Sequence, residues 1–323
     1  MNKFHYWNRI FKAYILGKTS QLSFWHGDPE INFEFISNSL GPYYMLFYKK
    51  ANYKGHVDSN GIPLLDYQGI IGLQYNPIAI AQWGLGNYNI WYRVNSEIHY
   101  SNFIKSADWL VENLEKNKDG YSVWMHHFDF EYRDLLKAPW YSGLAQGQGI
   151  SVLVRAYKET GNDKYRNAAD KAFKVFNISI VNGGVNNIDE KGNNWIEEYI
   201  VSPPTHILNG FIWGMWGVYD YGLQFKNSDA LYLFKKYTNT LIKELGSYDN
   251  GYWSLYEHSG TRLRMIASLF YHKLHIVQLR VMYHLTEEEY FQNIANRWDG
   301  YLKKPLNKYR AVIQKIIFKV LYY

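Results

Sequence analysis

Residues that can bind sugars or transfer protons concentrate in three segments rich in glycine, proline and aromatic side chains. In residues 138–149, Trp140 precedes a helix start whose first turn carries Gln146 and Gln148. Amide side chains hydrogen-bond to hydroxyl groups, and the flat face of an indole packs on the C–H face of a sugar ring. This segment therefore predicts a carbohydrate contact, and the alternative is that both glutamines only cap and pack the helix.

A second segment, Trp195–Asn209, places acidic and phenolic groups on a loop. Two consecutive prolines follow Ser202, and a residue that precedes proline avoids the helical conformation. Glu198 and Tyr199 are therefore predicted to lie on a loop or short strand just before a glycine-rich helix, where binding and catalytic residues often occur. The alternative is that Glu198 and its neighbour Glu197 form a solvated face.

The third segment, residues 251–275, contains six candidate residues: Tyr256, Tyr271, Arg262, Arg264, His272 and His275. The two histidines are three residues apart, so a helix would place them near one face. That spacing can contribute to a zinc site, but neither an HExxH pattern nor a third ligand accompanies it. We therefore predict no metal, and the sequence has no nucleotide-binding signature that would indicate another cofactor.

The helices that must position these segments come in pairs. From Pro77 onwards apolar residues recur at helical spacing, which predicts eight helices: Pro77–Tyr88, Ser101–Asn117, Gly143–Thr160, Asp163–Asn177, His206–Phe225, Ser228–Leu245, Tyr271–Tyr283 and Thr286–Leu302. Thr286 and Glu289 predict a capping box at the start of the last helix. Four consecutive hairpins predict a mainly α protein, an α/α toroid whose inner helices surround a cleft.

One predicted inner helix carries four glycines: Gly210, Gly214, Gly217 and Gly222. Because glycine inside a helix costs about 1 kcal/mol, these residues predict that the helix packs closely against a neighbour.

The segments that flank the predicted toroid (residues 76–303) differ from it. Residues 1–75 combine a basic lead (1–22) with a turn-rich, extended segment that includes a turn at Asn60–Pro63 and a strand at Tyr43–Tyr48. Residues 304–323 place basic and apolar side chains at helical spacing. They predict a basic amphipathic tail that binds an anionic membrane surface or a partner enzyme such as a glycosyltransferase. The alternative is a terminal helix that packs on its own domain.

The composition favours an acidic polysaccharide as the partner. The 323 residues include 31 Tyr and 12 Trp, which suits sugar stacking, although tyrosines that merely fill the core are the alternative. The net charge of +6 suits a polyanion, and no nucleic-acid-binding motif accompanies it.

The same composition excludes several classes of protein. The absence of cysteine excludes disulfides and thiol nucleophiles. No apolar stretch reaches the roughly 18 residues of a membrane span, and the N-terminus lacks the apolar core of a signal peptide. We expect a cytoplasmic protein that is at most peripherally membrane-bound, and a homodimer is left open.

Taken together, the three segments resemble the C-terminal catalytic domain of the D-glucuronyl C5-epimerases. The resemblance rests on ordered motifs at Ala145–Tyr157, Glu197–Asp220 and Leu255–Leu279, and it covers roughly residues 70–303. It implies a uronic acid C5-epimerase that converts D-glucuronate to L-iduronate residues in a heparosan-like or capsular polysaccharide.

The resemblance also implies roles for individual residues. The functional tyrosines of the family match Tyr199, Tyr256 and Tyr271, and its functional acid matches Glu198. The implied substrate-binding residues are Trp140, Gln82, Gln146, Gln148 and Asn209, with Arg262, Arg264, His272 and His275 as candidates to hold the substrate carboxylate. Removal of a proton beside a carboxylate needs cations that neutralise the developing charge and acid/base groups on both faces of the ring.

The sequence departs from the family in two places, and it leaves other functions open. Animal members carry a β-rich domain before the toroid, whereas the residues between Tyr88 and Trp140 are predicted here to be helical. The stretch between Tyr256 and Tyr271 is also shorter. The alternatives are a polysaccharide lyase that acts by β-elimination and a non-catalytic uronan-binding protein. A glycoside hydrolase needs two carboxylates about 5–9.5 Å apart, which two adjacent glutamates on an extended segment supply poorly.

Overall fold

The computed structural model describes residues 24–25, 27–133 and 135–322, so the predicted basic lead lies outside the described residues. Apart from a single helical turn at Tyr48–Ala51, the described residues form nine α-helices: α1 (Pro77–Val94), α2 (Glu97–Glu112), α3 (Gly143–Thr160), α4 (Asp163–Phe173), α5 (Leu208–Phe225), α6 (Ser228–Glu244), α7 (Leu269–Thr286), α8 (Glu289–Leu302) and α9 (Pro305–Tyr322).

The first eight helices form four hairpins whose odd-numbered members lie on the inside. Helix α1 packs on α2, α3 on α4, α5 on α6 and α7 on α8, while α1, α3, α5 and α7 also pack on one another in that order. The protein is therefore mainly α, and the predicted α/α toroid is confirmed. Because the inner helices all start at the same end, the loops that precede them lie together.

The burial pattern of each helix matches its place in the toroid. Every residue of α3 from Gly143 to Ala156 is buried, whereas α4 buries a single stripe at Tyr165, Ala168, Ala169, Ala172 and Phe173. A helix that is apolar on one stripe covers the outside of a core, and a helix that is buried on all sides lies within it.

Helices α3 and α5 approach each other so closely that only glycine fits between them. A Cβ atom on Gly217 would lie 2.1 Å from the carbonyl oxygen of Gly147, and one on Gly147 would lie 2.6 Å from the Cα of Gly214. Since these contacts are to backbone atoms, no side-chain rearrangement would relieve them. The close packing predicted from the glycines of α5 is confirmed at these positions.

The N-terminal segment closes one end of the toroid through a buried ion pair. Arg155 of α3 and Asp220 of α5 lie 2.6 Å apart with almost no solvent exposure. The Tyr44 hydroxyl donates to the same carboxylate at 2.6 Å, and the Asn89 side chain of α1 accepts from the backbone N–H of Tyr43 at 2.7 Å. The segment around Tyr44 is thus fixed to three inner helices near their C-terminal ends.

Short strands and loops cover the opposite end. The strands among the described residues are β1 (Leu65–Asp66), β2 (Leu73–Gln74), β3 (Leu114–Lys116), β4 (Ser122–His126), β5 (Phe130–Glu131), β6 (Leu135–Leu136), β7 (Trp140–Tyr141), β8 (Asn186–Ile188) and β9 (Asn194–Ile196). These strands pair with one another in antiparallel fashion, and β4 lies between β3 and β7. Gly143 N donates to Glu197 O at 3.0 Å and Leu208 N to Tyr256 O at 3.1 Å. These bonds join the loops that precede α3, α5 and α7.

Two predicted elements are wrong in type. Tyr43–Tyr48 is not a strand, because the Asn89 side chain takes up its backbone groups and leaves a single bridge between Ile31 and Met45. The predicted helix to Asn117 ends at Glu112, and the chain from residue 114 to 141 forms β3 to β7. The stretch before Trp140 is therefore largely strands and turns. The predicted turn at Asn60–Pro63 is present, with Gly61 at φ +84°.

The capping box predicted at Thr286 is also wrong. Helix α7 continues through Thr286, whose hydroxyl donates to the Met282 carbonyl at 2.7 Å. Glu288 is the N-cap residue of α8, and its side chain makes no capping hydrogen bond.

The predicted C-terminal helix exists as α9, and one of its faces packs on the domain. Ala311 and Phe318 are buried in an apolar cluster with Ile266, Met265 and Trp253. Across residues 24–25, 27–133 and 135–322, no helix combines the length and apolarity needed to cross a membrane.

Candidate active site

Four tyrosines meet at the end of the toroid where the inner helices begin. Tyr132, Tyr199 and Tyr256 are buried in one cluster, and Tyr271 packs against it. The ring centroids are 4.7 Å apart for Tyr132 and Tyr199 and 4.8 Å apart for Tyr256 and Tyr271. The structure thus brings the three predicted tyrosines together and adds Tyr132, which the sequence analysis missed.

Each tyrosine comes from a different loop or helix end. Tyr132 follows β5, Tyr199 lies between β9 and α5, and Tyr256 lies in the loop before α7. Tyr271 is in the first turn of α7, where its N–H donates to the N-cap residue Ser268 at 3.3 Å. The site therefore depends on the toroid to align segments that are far apart in sequence.

Glu198 lies against the first turn of α5. Its Oε2 accepts from Asn209 Nδ2 at 3.4 Å, and a Cβ atom on Gly210 would lie 2.2 Å from the same oxygen. Glycine at this position therefore makes room for the carboxyl group. Burial raises the pKa of Glu198 to about 8; hydrogen bonds from Tyr199 and Asn209 oppose this rise, and the neighbouring Glu257 adds to it.

The adjacent Glu197 faces the other way. Its Oε1 lies 2.6 Å from His206 Nδ1, and its Oε2 accepts from the His206 backbone N–H at 3.1 Å. The two glutamates therefore point apart, as an extended segment requires, and Glu197 fixes the loop before α5.

Glu257 is a second buried acid that the sequence analysis did not single out. The Tyr132 hydroxyl donates to its Oε2, and Arg133 Nη1 lies 4.0 Å from its Oε1. Burial raises the pKa of Glu257, while the hydrogen bonds from Tyr132 and Ser259 and the charge of Arg133 oppose the rise. The segment before Trp140 thus brings both a phenol and a cation to the site.

Helix α9 contributes a second cation, Lys315. Its ammonium lies 5.4 Å from the ring centroid of Tyr256 and donates to the Ile266 carbonyl at 2.9 Å. Burial lowers the pKa of Lys315 to about 7, Lys319 acts in the same direction, and Glu257 opposes the shift. From the sequence this helix was expected to bind a membrane surface or partner enzyme, or to pack on its own domain, and its contact with the site was not predicted.

The environment of the phenols keeps them protonated. Burial raises the pKa values of Tyr199 and Tyr256 well above 10, and the neighbouring Glu198 carboxylate and the other phenols add to the rise. Acids and phenols of widely separated pKa therefore share one desolvated site, an arrangement that acid/base catalysis uses.

Of the predicted substrate-binding residues, Trp140 packs on the tyrosine cluster and Asn209 contacts Glu198. The half-buried Trp140 ring is 5.7 Å from Tyr199 and stacks on His126 at 3.8 Å. The indole N–H donates to the Phe128 carbonyl at 2.8 Å, which fixes the ring. Asn209 Oδ1 has no hydrogen-bond partner among the residues that the structure describes.

The three predicted glutamines lie inside the toroid and connect its elements. Gln82 donates to Gln148 at 3.0 Å. Gln146 accepts from the Trp124 N–H at 2.9 Å and donates to the Ala172 carbonyl at 3.2 Å. All three are buried, and these contacts favour the alternative of helix packing over contact with a sugar.

His272 and His275 are likewise buried. His272 Nδ1 lies 2.7 Å from Ser254 Oγ and its Nε2 lies 3.1 Å from the Trp298 carbonyl. His275 Nδ1 lies 3.0 Å from the same serine hydroxyl. Burial lowers the pKa of His272 to about 4, which keeps the ring neutral. The two imidazoles fix the loop before α7 and have no exposed surface that a carboxylate could reach.

Arg262 and Arg264 are exposed in the loop before α7, whereas the cation Arg133 lies beside Glu257 and the cation Lys315 lies over the Tyr256 ring. Within the described part of the chain, no three His, Cys, Asp or Glu side chains are grouped closely enough to hold a metal ion.

Comparison with known proteins finds matches to one family. A family model described as the D-glucuronyl C5-epimerase C-terminus matches residues 118–300. A D-glucuronyl C5-epimerase of Caenorhabditis elegans is 33% identical over 220 residues, which are 64% of this chain and 35% of that protein. An uncharacterized protein of Methanocaldococcus jannaschii is 31% identical over 198 residues, 60% of this chain and 63% of that one. The chain therefore spans less than two thirds of the length of either relative.

Two solved structures are similar at low sequence identity. An unsaturated glucuronyl hydrolase from Bacillus sp. GL1 gives a TM-score of 0.48 at 13% identity and covers 70% of this chain and 61% of its own. A cellobiose 2-epimerase from Spirochaeta thermophila gives 0.49 at 12% identity and covers 77% and 63%. At this level of identity neither structure bears on reaction or substrate.

Glu198→Gln should change the pH dependence of stability. The pKa of this carboxyl rises from 4.5 to about 8 on folding, so the unfolded chain loses the proton first. Glu198 therefore lowers stability progressively as pH rises from about 4.5 to about 8. Relative to the unmodified protein, Glu198→Gln should gain up to a few kcal/mol between pH 5 and pH 8.5, at about 1.4 kcal/mol per pKa unit.

Urea unfolding of both proteins at the two pH values measures this gain. The control is Glu190→Gln at an exposed position, which should show no such pH-dependent difference. An equal effect of Glu198→Gln at pH 5 and pH 8.5 would show that the carboxyl is not desolvated.

Proposed function

Because the chain belongs to the D-glucuronyl C5-epimerase C-terminus family, we propose that it is an isomerase that inverts C5 of D-glucuronate residues in an acidic polysaccharide to give L-iduronate. The observation that carries the proposal is the cluster of three buried tyrosines and the partly buried Tyr271 with Glu198 and Glu257, next to the cations Arg133 and Lys315. We further propose a heparosan-like or capsular polymer as the substrate.

The reaction first needs positive charge. Loss of the C5 proton pushes an electron pair towards a carboxylate that is already negative, so the resulting enediolate carries two negative charges. Preorganised cations stabilise such charge most effectively where water is excluded. In the proposal Arg133 and Lys315 hold the substrate carboxylate. With a pKa of about 7, Lys315 is partly neutral without substrate, and a bound carboxylate favours its charged form.

Inversion then needs a proton acceptor on one face of the ring and a donor on the other. A pKa of about 8 allows Glu198 to accept a proton near neutral pH, and the proposal assigns this role to Glu198 with Tyr199. Tyr256 and Tyr271 form the second phenol pair and donate to the opposite face. The acceptor then releases its proton to solvent and the phenolate regains one, so that solvent hydrogen enters C5.

The phenols are almost closed off from solvent: Tyr199 and Tyr256 are 9% and 6% exposed. A sugar ring must therefore move the surrounding loops apart before it contacts them. Exclusion of water around the reacting groups strengthens their electrostatic interactions.

The proposed reaction predicts deuterium uptake at C5. Incubation of heparosan with the protein in D₂O should produce iduronate signals in the NMR spectrum, with deuterium at C5 of both uronates and no added nucleotide or metal. Carboxyl-reduced heparosan is the matched control, because its C5 proton no longer lies beside a carboxylate and should not exchange.

Other outcomes of this incubation identify the alternatives. Absorbance of an unsaturated uronate together with shorter chains would identify a lyase. Binding of unaltered heparosan by the protein, without hydrogen exchange at C5, would identify a binding protein.

The phenols should be needed for turnover and not for folding. Tyr199→Phe, Tyr256→Phe and Tyr271→Phe each remove one oxygen and keep the ring. Loss of an acid/base group typically lowers turnover by about 10²–10⁴-fold, and we expect kcat and kcat/KM to fall together.

Tyr237→Phe is the matched control for these variants. Tyr237 is a fully buried tyrosine of α6 whose hydroxyl donates to the Phe176 carbonyl at 3.2 Å, so its loss should affect stability and leave activity per folded molecule unchanged. If the three site variants behave like this control, the phenols only pack.

Lys315→Met should weaken the reaction through the substrate carboxylate. The change keeps the aliphatic stem and removes the charge, so loss of a charge-assisted contact of about 1.5–3 kcal/mol should lower kcat/KM by roughly ten- to a hundredfold. Lys315→Arg should restore much of it, and Lys308→Met, at an exposed position of the same helix, should have no effect. If Lys315→Met leaves the kinetics on heparosan unchanged, Lys315 has only a structural role, through its hydrogen bond to the Ile266 carbonyl.

A further inference from the structure

Helix α9 has an inner face that is fully engaged by the domain. Asn307, Ala311 and Phe318 are buried. Between them, Gln314 donates to the Arg264 carbonyl at 3.0 Å, and Lys315 reaches the Ile266 carbonyl. The helix is therefore fixed in its rotation about its own axis, and the opposite face must point away from the domain.

That outer face is apolar. Eight large apolar side chains of the helix are exposed, with Val312 and Leu321 at the margins, and the six between them are 47% to 69% exposed: Leu306, Tyr309, Ile313, Ile316, Ile317 and Val320. At about 100° per residue, they fall within one sector of roughly 100°, opposite Ala311. Six such side chains form a patch on the scale of the largest apolar patches of typical monomers, which are often binding sites. We refer to these six residues as the α9 apolar face.

Positive charge borders the α9 apolar face. By the same helical angles, Lys308 and Lys319 lie on one side of it and Arg310 on the other, where its guanidinium lies 4.0 Å from the ring centroid of Tyr252. Residues 303–322 contain six cations and no Asp or Glu: Lys303, Lys304, Lys308, Arg310, Lys315 and Lys319. Long basic side chains at the edges of an apolar stripe can place their charges in a headgroup layer while their stems remain in contact with apolar surface.

We propose that the α9 apolar face binds an anionic lipid surface and holds the axis of α9 parallel to the membrane. An apolar stripe with cations at its edges combines the two attractions that hold interfacial helices on anionic bilayers. A second copy of the chain fits this face less well, because pairing two copies would bring two sets of cations together with no acidic residue of the helix between them. In this arrangement α9, about 27 Å long for 18 residues, lies along the surface of the membrane. No described helix is apolar enough to cross it.

If the α9 apolar face binds lipid, vesicle binding should depend on its apolar side chains and on the cations beside them. The full chain should co-sediment with vesicles of equal parts phosphatidylglycerol and phosphatidylcholine, and added salt should weaken this binding. Ile316→Ser with Val320→Ser removes two exposed apolar side chains and should reduce the bound fraction at least tenfold. The control is Ile98→Ser on α2, which is 68% exposed and should bind as the unmodified protein does.

The cations are tested in parallel. Lys308→Gln with Lys319→Gln should lower binding to the anionic vesicles several-fold, whereas Lys235→Gln with Lys236→Gln, an exposed pair on α6, should not. Thermal unfolding of all variants verifies that they fold.

Three results would overturn the proposal. One is absence of binding by the unmodified chain, and another is binding by the Ile316/Val320 variant equal to that of the control. The third is a dimer that this variant converts to monomers while the unmodified chain ignores lipid, since a second copy would then occupy the face. None of these measurements involves turnover, so each result stands whether or not heparosan exchanges C5 hydrogen.

Discussion

The burial of charged groups is the constraint that distinguishes the two ends of this toroid. At one end Arg155 and Asp220 are both buried, lie 2.6 Å apart and receive a further hydrogen bond from Tyr44, so the desolvation of each charge is compensated. Loss of one partner would leave an uncompensated charge, at a cost of about 3–5 kcal/mol. At the other end Glu198 and Glu257 are two buried acids, and Glu257 raises the pKa of Glu198 beyond the effect of burial. A close-packed framework, such as the glycine contact of α3 with α5, holds this arrangement in place.

Much of the fold could be predicted because its signals are local. Helical periodicity revealed all eight toroid helices, and the prolines after Ser202 indicated the loop that carries Glu198. The errors arose where a distant group decides the local structure. Residues 43–48 have the composition of a strand, but Asn89 binds their backbone. Thr286 is of a residue type that often caps helices, but it is the last residue of α7.

The site was predictable only as far as its motifs extend. Tyr199, Tyr256 and Tyr271 meet as expected, whereas Gln146, Gln148, His272 and His275 have the polarity of ligand-binding residues and use it to connect elements of the core. Nothing in their types or spacing separates these two roles, because a buried hydrogen bond and a substrate contact need the same donors. Tyr132, Arg133 and Lys315 were missed for the opposite reason: they lie in segments without a motif, and only the tertiary fold brings them to the tyrosines.

The proton-transfer groups and the cation Lys315 come from different parts of the chain. The four tyrosines and both glutamates lie within residues 118–300, which match the family model, whereas Lys315 lies beyond them on α9. The inner face of α9 touches the site and its outer face carries the apolar stripe. A helix that is bound on both sides has fewer orientations than one bound on a single side. In the arrangement proposed here, lipid contact would therefore restrict the helix that carries Lys315, and carboxylate binding would be coupled to the surface on which the protein rests. Such coupling requires that lipid favour one position of α9 over another.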